Sequence, residues 1–252
     1  MGKITNIEPF KCAVSVIIPA YNEKPRIIHA VEMTQCTLRN ANLEGEIIIA
    51  EDGSNDGTHE LVAKMAKADP GIILLSSDQR LGRGRALNRA IKASNGKIIC
   101  YIDADLATDM AHLPELIGAV INEGYDIAIG SRYSHDSEAK RSKIRFFVSK
   151  EYNWLVRLVL GSELCDHQCG FKAFNRTKII NLLDEVEDNG WFWDTEILVR
   201  SQKHGYKIKE IPVKWKESDS SSTVNVLEDS SEMGRQIFRL WWNLRKKSPS
   251  QK

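Results

Sequence analysis

Between Ala13 and Ser131, short apolar runs rich in valine and isoleucine alternate with longer amphipathic stretches, and no other feature of the chain constrains its fold as tightly. A run that is apolar throughout must be covered on both faces, as the strands of a parallel sheet are, and parallel strands need crossovers long enough to hold a helix. The pattern predicts strands near 14–18, 46–51, 72–76, 97–102 and 126–130, with helices near 25–40, 57–68, 84–94 and 111–122 between them. Asp56 or Thr58 is placed to cap the second helix. A sheet of this kind binds ligands beyond the carboxyl ends of its strands, and here the residues at those ends are acidic.

After Ser131 the regularity fades. A charged loop from His135 to Lys143 leads into an expected helix from Ile144 to Leu160, followed by the polar segment Asp166–Asn175. A helix near 193–204, a strand near 207–215, a serine-rich loop at 218–223 and a last helix from Glu228 to Arg245 complete the reading. The pattern divides the chain into an N-terminal extension over 1–12, an α/β domain expected over 13–223, and an amphipathic helix with a basic tail over 224–252.

Composition excludes several classes. The 252 residues are 42% hydrophobic and 27% charged, as in an ordinary folded domain. Thirty-five Lys and Arg against 34 Asp and Glu leave a net charge of +1, so no basic excess points to nucleic acid. Five cysteines without a C-x-x-C pair give no disulfide framework and make a reducing, cytoplasmic compartment the default. The start, MGKITNIEPFK, lacks the apolar core of a secretory signal, and no window approaches the roughly 18 apolar residues of a spanning helix. Membrane contact is therefore expected to be peripheral; the oligomeric state is left open.

Three constellations carry the chemistry. Asp103-Ala104-Asp105 follows the run 97–102; in an extended backbone its two carboxylates share one face, a pair suited to magnesium or manganese beside substrate phosphates. A solvated turn with capping aspartates is the alternative. Glu51-Asp52-Gly53-Ser54 ends the second strand, where a carboxylate can accept from a base N–H or a ribose hydroxyl. Pro19-Ala20-Tyr21-Asn22-Glu23 ends the first, with Tyr21 able to stack on a base and Glu23 to accept from it. Gly82-Arg83-Gly84 lacks the third glycine of a dinucleotide fingerprint and no P-loop is present, so hydride transfer and P-loop chemistry fall back. Cys165-Asp166-His167-Gln168-Cys169 matches no common zinc spacing.

Taken in order with Gly130-Ser131-Arg132-Tyr133, these motifs resemble family 2 glycosyltransferases, and among them the dolichyl-phosphate hexose synthases. Asp166-His167-Gln168-Cys169-Gly170-Phe171-Lys172-Ala173-Phe174 and Trp191-Phe192-Trp193-Asp194-Thr195-Glu196 are similar to the glucose branch rather than the mannose branch. The resemblance spans about residues 13–223. It implies a GT-A fold, α/β with a Rossmann-like, mainly parallel central sheet flanked by helices, a nucleotide-sugar donor, Mg2+ or Mn2+, and a polyprenyl-phosphate acceptor. Carried over by position, Pro19, Tyr21, Glu23, Ala50 and Asp52 would hold the nucleoside, and Asp103 and Ala104 would lie near the ribose or diphosphate. Asp105, with Asp103, would ligate the metal, and Asp194 stands where hydroxyl-using relatives keep a base. The mannose branch places a glutamine ligand where this chain has Ala107, so water or Asp109 would have to substitute; its Ser-Lys is Ser222-Thr223 here.

The implied activity is inverting transfer of a hexose, glucose from UDP-glucose favoured, to dolichyl or polyprenyl phosphate. The alternatives are a sugar-hydroxyl acceptor, mannose from GDP-mannose, N-acetylglucosamine from its UDP donor, and a non-catalytic nucleotide-sugar-binding protein. A phosphate acceptor is already ionised near neutral pH and needs no base. Bringing it beside an anionic donor requires cations: Arg132, also near the donor, with Arg141 and Arg145, and less strongly Lys214 and Lys216. Trp191 and Trp193 could stack on the hexose or a prenyl unit, or fill a core. The stretch Gln236–Lys247 combines bulky apolar residues with a basic end and could lie on the cytoplasmic face of a membrane, or simply cover the catalytic domain.

Overall fold

The structure, a computed structural model, describes residues 12–140, 143–217 and 226–246. A seven-stranded sheet has the spatial order β3-β2-β1-β4-β7-β5-β8. Its strands are β1 (Cys12–Ala20), β2 (Gly45–Glu51), β3 (Ile72–Leu75), β4 (Gly96–Ile102), β5 (Ile127–Ser131), β7 (Phe171–Asn175) and β8 (Ile208–Pro212). All pair in parallel except β7, which runs antiparallel to both β4 and β5. The short β6 (Glu138–Lys140) and β9 (Lys214–Lys216) pair with each other in a second sheet.

Alternate side chains of each central strand enter opposite apolar layers. Val14, Val16 and Ile18 of β1, Ile47 and Ile49 of β2, and Ile98 and Cys100 of β4 meet α1 (Ile27–Asn40), α2 (Thr58–Ala68) and α4 (Leu113–Ile121). Ile17, Ile48, Ala50, Ile99 and Tyr101 meet α3 (Arg83–Ala93), α6 (Arg176–Leu183) and α7 (Trp193–Lys203) on the other face. Each fully buried Val or Ile contributes about 1.5–3 kcal/mol, which is why the uninterrupted apolar runs specify central strands. A third cluster joins α5 (Lys143–Leu160) to α8 (Val226–Lys246) through Val156, Leu160, Ile237 and Leu240, packed against Phe192 and Val199.

From β1 the chain winds outward through β2 to β3, then returns to place β4 on the other side of β1. The strand order reverses between β1 and β4, and the crevice at such a reversal is where open α/β sheets bind ligands. The ends of β1, β2 and β4 carry Tyr21, Asp52 and Asp103 there.

Three expectations need correction. The strand near 207–215 is two strands in different sheets, β8 and β9, separated at Val213. The polar segment Asp166–Asn175 contains β7, inside the main sheet. Asp103–Leu106 is not extended: Leu106 N–H donates to Asp103 O (3.1 Å) and Leu106 has φ 49°, so a tight turn rather than the pleat arranges the two aspartates.

Candidate active site

At the end of β1, Pro19 is paired in register with Ala50 of β2, and Asp52 N–H donates to Ala20 O (3.0 Å). Asn22 ties the two strand ends together: its N–H donates to Ser54 Oγ (2.9 Å) and its Oδ1 accepts from Asn55 N–H (3.0 Å). The Arg80 guanidinium stacks over the Tyr21 ring, 4.1 Å from its centroid. Asp52 organises the loop that leads into α3, its two oxygens accepting from Leu81 N–H (3.0 Å) and Gly82 N–H (2.9 Å). Asp56 accepts from Thr58 N–H (2.9 Å), but the N-cap position of α2 is Gly57, so neither Asp56 nor Thr58 is the cap that the sequence led us to expect.

Beyond β4, three carboxylates act on one another. Burial, and then the charge of Asp103, push the Asp105 carboxyl above its ordinary range. Burial likewise raises Glu23, with Asp105 and Asp103 adding to it and Arg26 (2.8 Å) opposing. Partly desolvated carboxylates that repel one another are relieved when a divalent cation neutralises them, so the donor chemistry fits Mg2+ or Mn2+. Among the described residues, however, no three His, Cys, Asp or Glu side chains converge as a ligand set. Asp109 caps the 3-10 turn that follows, its Oδ1 accepting from Ala111 N–H (2.9 Å).

Sequence reasoning missed Arg83. Its Nη2 donates to Asp103 Oδ1 (2.7 Å), its Nε lies 3.7 Å from Asp194 Oδ2, and its guanidinium sits 5.4 Å from the Tyr101 ring centroid and 5.1 Å from that of Trp191. Burial opposes its charge, but Asp103 and then Asp194 raise its pKa further still. Its Nε is shut off from solvent without a hydrogen-bond partner. A charged, aromatic-flanked guanidinium with an unused donor, between the two key aspartates, is equipped to meet an anion or a sugar hydroxyl. Its sequence signal is Gly82-Arg83-Gly84 directly after a strand, a pattern that lacks the third glycine of a dinucleotide fingerprint.

Lys172 was also missed as a site residue. It projects from β7 into the sheet's interior and donates to Cys169 O (2.6 Å), Asp194 Oδ1 (2.7 Å) and Tyr101 Oη (2.9 Å). Asp194 lies in the first turn of α7, as its helix-terminal reading requires, and is buried. Burial lowers Lys172 to about 7 and raises Asp194 to about 7.

Arg132, expected beside the donor and the acceptor phosphate, is engaged by a carboxylate of the protein itself. Its Nε and Nη2 bind the buried Asp166 (2.7 and 2.8 Å) and its backbone N–H donates to the same carboxylate (3.0 Å). Burial would raise Asp166, but Arg132 overrides it and holds the carboxyl at about 2. The bidentate fork expected at phosphate is thus occupied internally. The Arg132 guanidinium lies 5.6 Å from the Trp215 ring, and the next residue, Lys216, donates its N–H to Ala107 O (2.8 Å) beside the aspartate turn. Lys214 and Lys216 side chains are exposed. Arg141, Ser222 and Thr223, and the side chain of Arg145, lie outside the described residues. Trp193 is a core residue bonded to Asn88 (2.8 Å), whereas Trp191 is exposed beside Arg83.

A mainly parallel sheet whose order reverses between β1 and β4, with Tyr21, Asp52 and Asp103 at the strand ends and the antiparallel β7 beyond the acidic turn, is the arrangement of the GT-A fold. The fold recurs in glucosyl-3-phosphoglycerate synthase from Mycobacterium tuberculosis, solved with Mn2+, UDP and glucosyl-3-phosphoglycerate (TM-score 0.66, 21% identity, 91% of this chain and 78% of that one). The chain belongs to glycosyl transferase family 2, whose family model matches residues 15–183. It is 48% identical over 251 residues to glycosyltransferase AglD of Haloferax volcanii, covering 97% of this chain but 40% of that relative's length. It is 34% identical over 226 residues to dolichyl-phosphate beta-glucosyltransferase ALG5A of Trichomonas vaginalis, covering 86% of this chain and 70% of that protein.

Proposed function

We propose that the chain transfers a hexose, with glucose from UDP-glucose favoured, to dolichyl or another polyprenyl phosphate, inverting the anomeric carbon. The observation that carries this reading is Arg83 held between Asp103 and Asp194 at the mouth of the β1/β4 crevice, in a chain similar to proteins named dolichyl-phosphate beta-glucosyltransferases. Tyr21, Glu23 and Asp52, with the β1 and β2 backbone at Pro19 and Ala50, would receive the nucleoside. Asp103, Ala104 and Asp105 would border the diphosphate.

Asp105 and Asp103 would hold Mg2+ or Mn2+, whose charge stabilises a departing nucleoside diphosphate. Arg83 would add a fixed positive charge on the side of the hexose, next to Trp191. The acceptor phosphate arrives ionised, so no residue has to remove a proton from it. Its cations are proposed to be the remaining Nη1 edge of Arg132, Lys216 beside the aspartate turn, and Arg141 and Arg145.

Asp194, raised to about 7, favours a second reading in which it serves as base for a hydroxyl acceptor. Its hydrogen bond to Lys172 and its contact with Arg83 favour an orienting role instead. Incubating the protein and Mn2+ or Mg2+ with labelled nucleotide sugars, offering polyprenyl phosphate and polyprenol in parallel, and weighing the lipid product separates the two. Glucosyl lipid from the phosphate acceptor alone is expected. Product from polyprenol alone would establish the hydroxyl reading, UDP or GDP release from another sugar would replace glucose, and donor binding without turnover would leave a sensor.

The acceptor's partner is proposed to be a membrane surface, met peripherally from the cytoplasmic side. Phe147 (63% exposed), Trp154 and Leu158 (65%) recur along one side of α5, and Phe238 (60%) and Trp242 along α8. Arg245 and Lys246 stand over Trp241 and Trp242, 3.9 and 5.2 Å from the ring centroids. Exposed aromatics backed by cations suit an anionic headgroup layer. Among the described residues no helix is long and apolar enough to cross a membrane.

A further inference from the structure

The first turn of α3, which carries Arg83, is not held in place by its own cap. The N–H groups of Gly84 and Arg85 donate to the carbonyl of Asn189 (2.9 and 3.3 Å), a residue more than a hundred positions away in the loop before α7. That loop presses into a groove that only glycines leave open. A Cβ on Gly82 would lie 2.3 Å from Asn189 O, and one on Gly84 would lie 2.9 Å from Asp188 O and 2.7 Å from Trp193 Cβ. The position of the Arg83 guanidinium therefore depends on where the backbone of Asp188 and Asn189 sits.

Asp188 is fixed from three sides. Its N–H donates to Glu196 Oε2 (2.9 Å), and its Oδ1 accepts from Gly190 N–H (2.8 Å). From α8, Arg239 Nη2 makes no hydrogen bond but lies in ion-pair range of both acids, 3.7 Å from Asp188 Oδ2 and 3.8 Å from Glu196 Oε2, and is shielded from solvent. Glu196 has a second cation, Arg200 (2.6 Å), whereas Arg239 is the cation that the structure gives to Asp188. Without it, two partly desolvated carboxylates would face each other across the loop.

We infer that Arg239 is a positioning residue for the transfer reaction: through Asp188 and the Asn189 carbonyl it sets the start of α3, and with it Arg83 between Asp103 and Asp194. The catalytic consequence rests on the proposed function, but the mechanical link does not. The same link makes α8, the helix with the exposed aromatics, part of the scaffold of the donor site.

Hydrogen exchange on the full chain tests the link without substrate. Arg239→Ala is expected to speed exchange at the Gly84 and Arg85 amides about tenfold, equivalent to about 1.4 kcal/mol of local stability, while the amides of β1 and β4 keep their wild-type rates. Arg239→Lys, which keeps the charge, should restore much of the protection, and Asp188→Asn should mimic the loss from the other end of the link. Unchanged exchange at Gly84 and Arg85 in both Arg239→Ala and Asp188→Asn overturns the inference. So does acceleration spread equally over β1 and β4, which would mark Arg239 as a general stabilising residue. In transfer assays with a short polyprenyl phosphate, Arg239→Ala is expected to raise the donor KM about fivefold while the acceptor KM stays within about twofold. If the wild type transfers nothing while the exchange pattern holds, it is the proposed function that fails and the link that stands.

Discussion

Lys172 Nζ lies 2.7 Å from Asp194 Oδ1 in the interior, and both side chains are withdrawn from water. Removing Lys172 would leave Asp194 with only the longer contact to Arg83 (3.7 Å); breaking a buried pair costs about 3–5 kcal/mol, whereas replacing both partners with apolar groups is often close to neutral. Lys172→Met is therefore expected to lower stability in urea unfolding by that amount, and Lys172→Met with Asp194→Leu to recover much of it. A double variant no more stable than the single one would mean the pair is not an energetic unit.

Arg83 should be indispensable to transfer. Loss of a preorganised donor aimed at developing charge typically costs about 100- to 1,000-fold in rate, and Arg83→Ala is expected to reduce kcat/KM by about that factor. Arg83→Lys keeps the charge but not the fork, and should fall between. Kinetics of Arg83→Ala within threefold of wild type would remove the residue from the site.

Arg83 also marks where the sequence stopped being legible. The alternating pattern places β1 to β5 and their helices within a few residues, because each run needs only burial on both sides, a property it carries locally. The Tyr21, Asp52 and Asp103 strand ends follow from that same placement. By contrast, β7 holds Lys172 in a run bounded by polar residues, and its burial makes sense only with Asp194, which arrives from another element. The pairing of Arg132 with Asp166, 34 positions away, left no mark in the sequence pattern. Long-range ion pairs leave no periodic trace, so these residues could be assigned a chemistry but not a partner.

Asp105 is expected to be good for function and bad for stability. Burial and Asp103 raise its pKa in the folded chain, so between the unfolded and folded values the folded state binds more protons and stability falls as pH rises through that window. Asp105→Asn removes the cost of the ionised carboxylate. The variant should melt higher than wild type at pH 7 in a chelating buffer, with the difference shrinking below about pH 4, and should lose most transfer activity. Adding Mn2+ should raise the wild-type Tm and leave the variant unmoved. An Mn2+ response retained by Asp105→Asn would refute its assignment as a ligand.

His167 gives the chain an acid-sensitive element away from the donor site. Burial holds its pKa down at about 4, with its ring between Asn153 Oδ1 (2.7 Å) and Ser162 Oγ (2.8 Å). The unfolded chain takes up the proton first, near pH 6.5, so stability is lost as pH falls from there toward 4, by about 3 kcal/mol in all. Urea midpoints across that range should fall for the wild type and flatten for His167→Gln. Parallel profiles for the two proteins would place the acid sensitivity elsewhere.

The two aromatic faces should act together at a lipid surface. Phe147→Ser with Trp154→Ser on α5, and Phe238→Ser with Trp242→Ser on α8, remove exposed side chains and should leave the fold intact. Each pair is expected to weaken sedimentation with phosphatidylglycerol vesicles about tenfold, and high salt to weaken the wild type through Arg245 and Lys246. Binding untouched by the α5 pair would confine the contact to α8.

Gly170 packs against the Asp103 carboxylate so closely that a Cβ there would lie 1.9 Å from Oδ2, although its backbone is one that any residue could adopt. The two positions are therefore coupled. Alanine at 170 is compatible with Asp103 only if the carboxylate swings away from where it stands, and from Arg83 with it. A library that randomises both codons and is scored for transfer should show this as epistasis: on the Asp103 background any side chain at 170 lowers transfer, whereas on backgrounds without the carboxylate the same change costs little more.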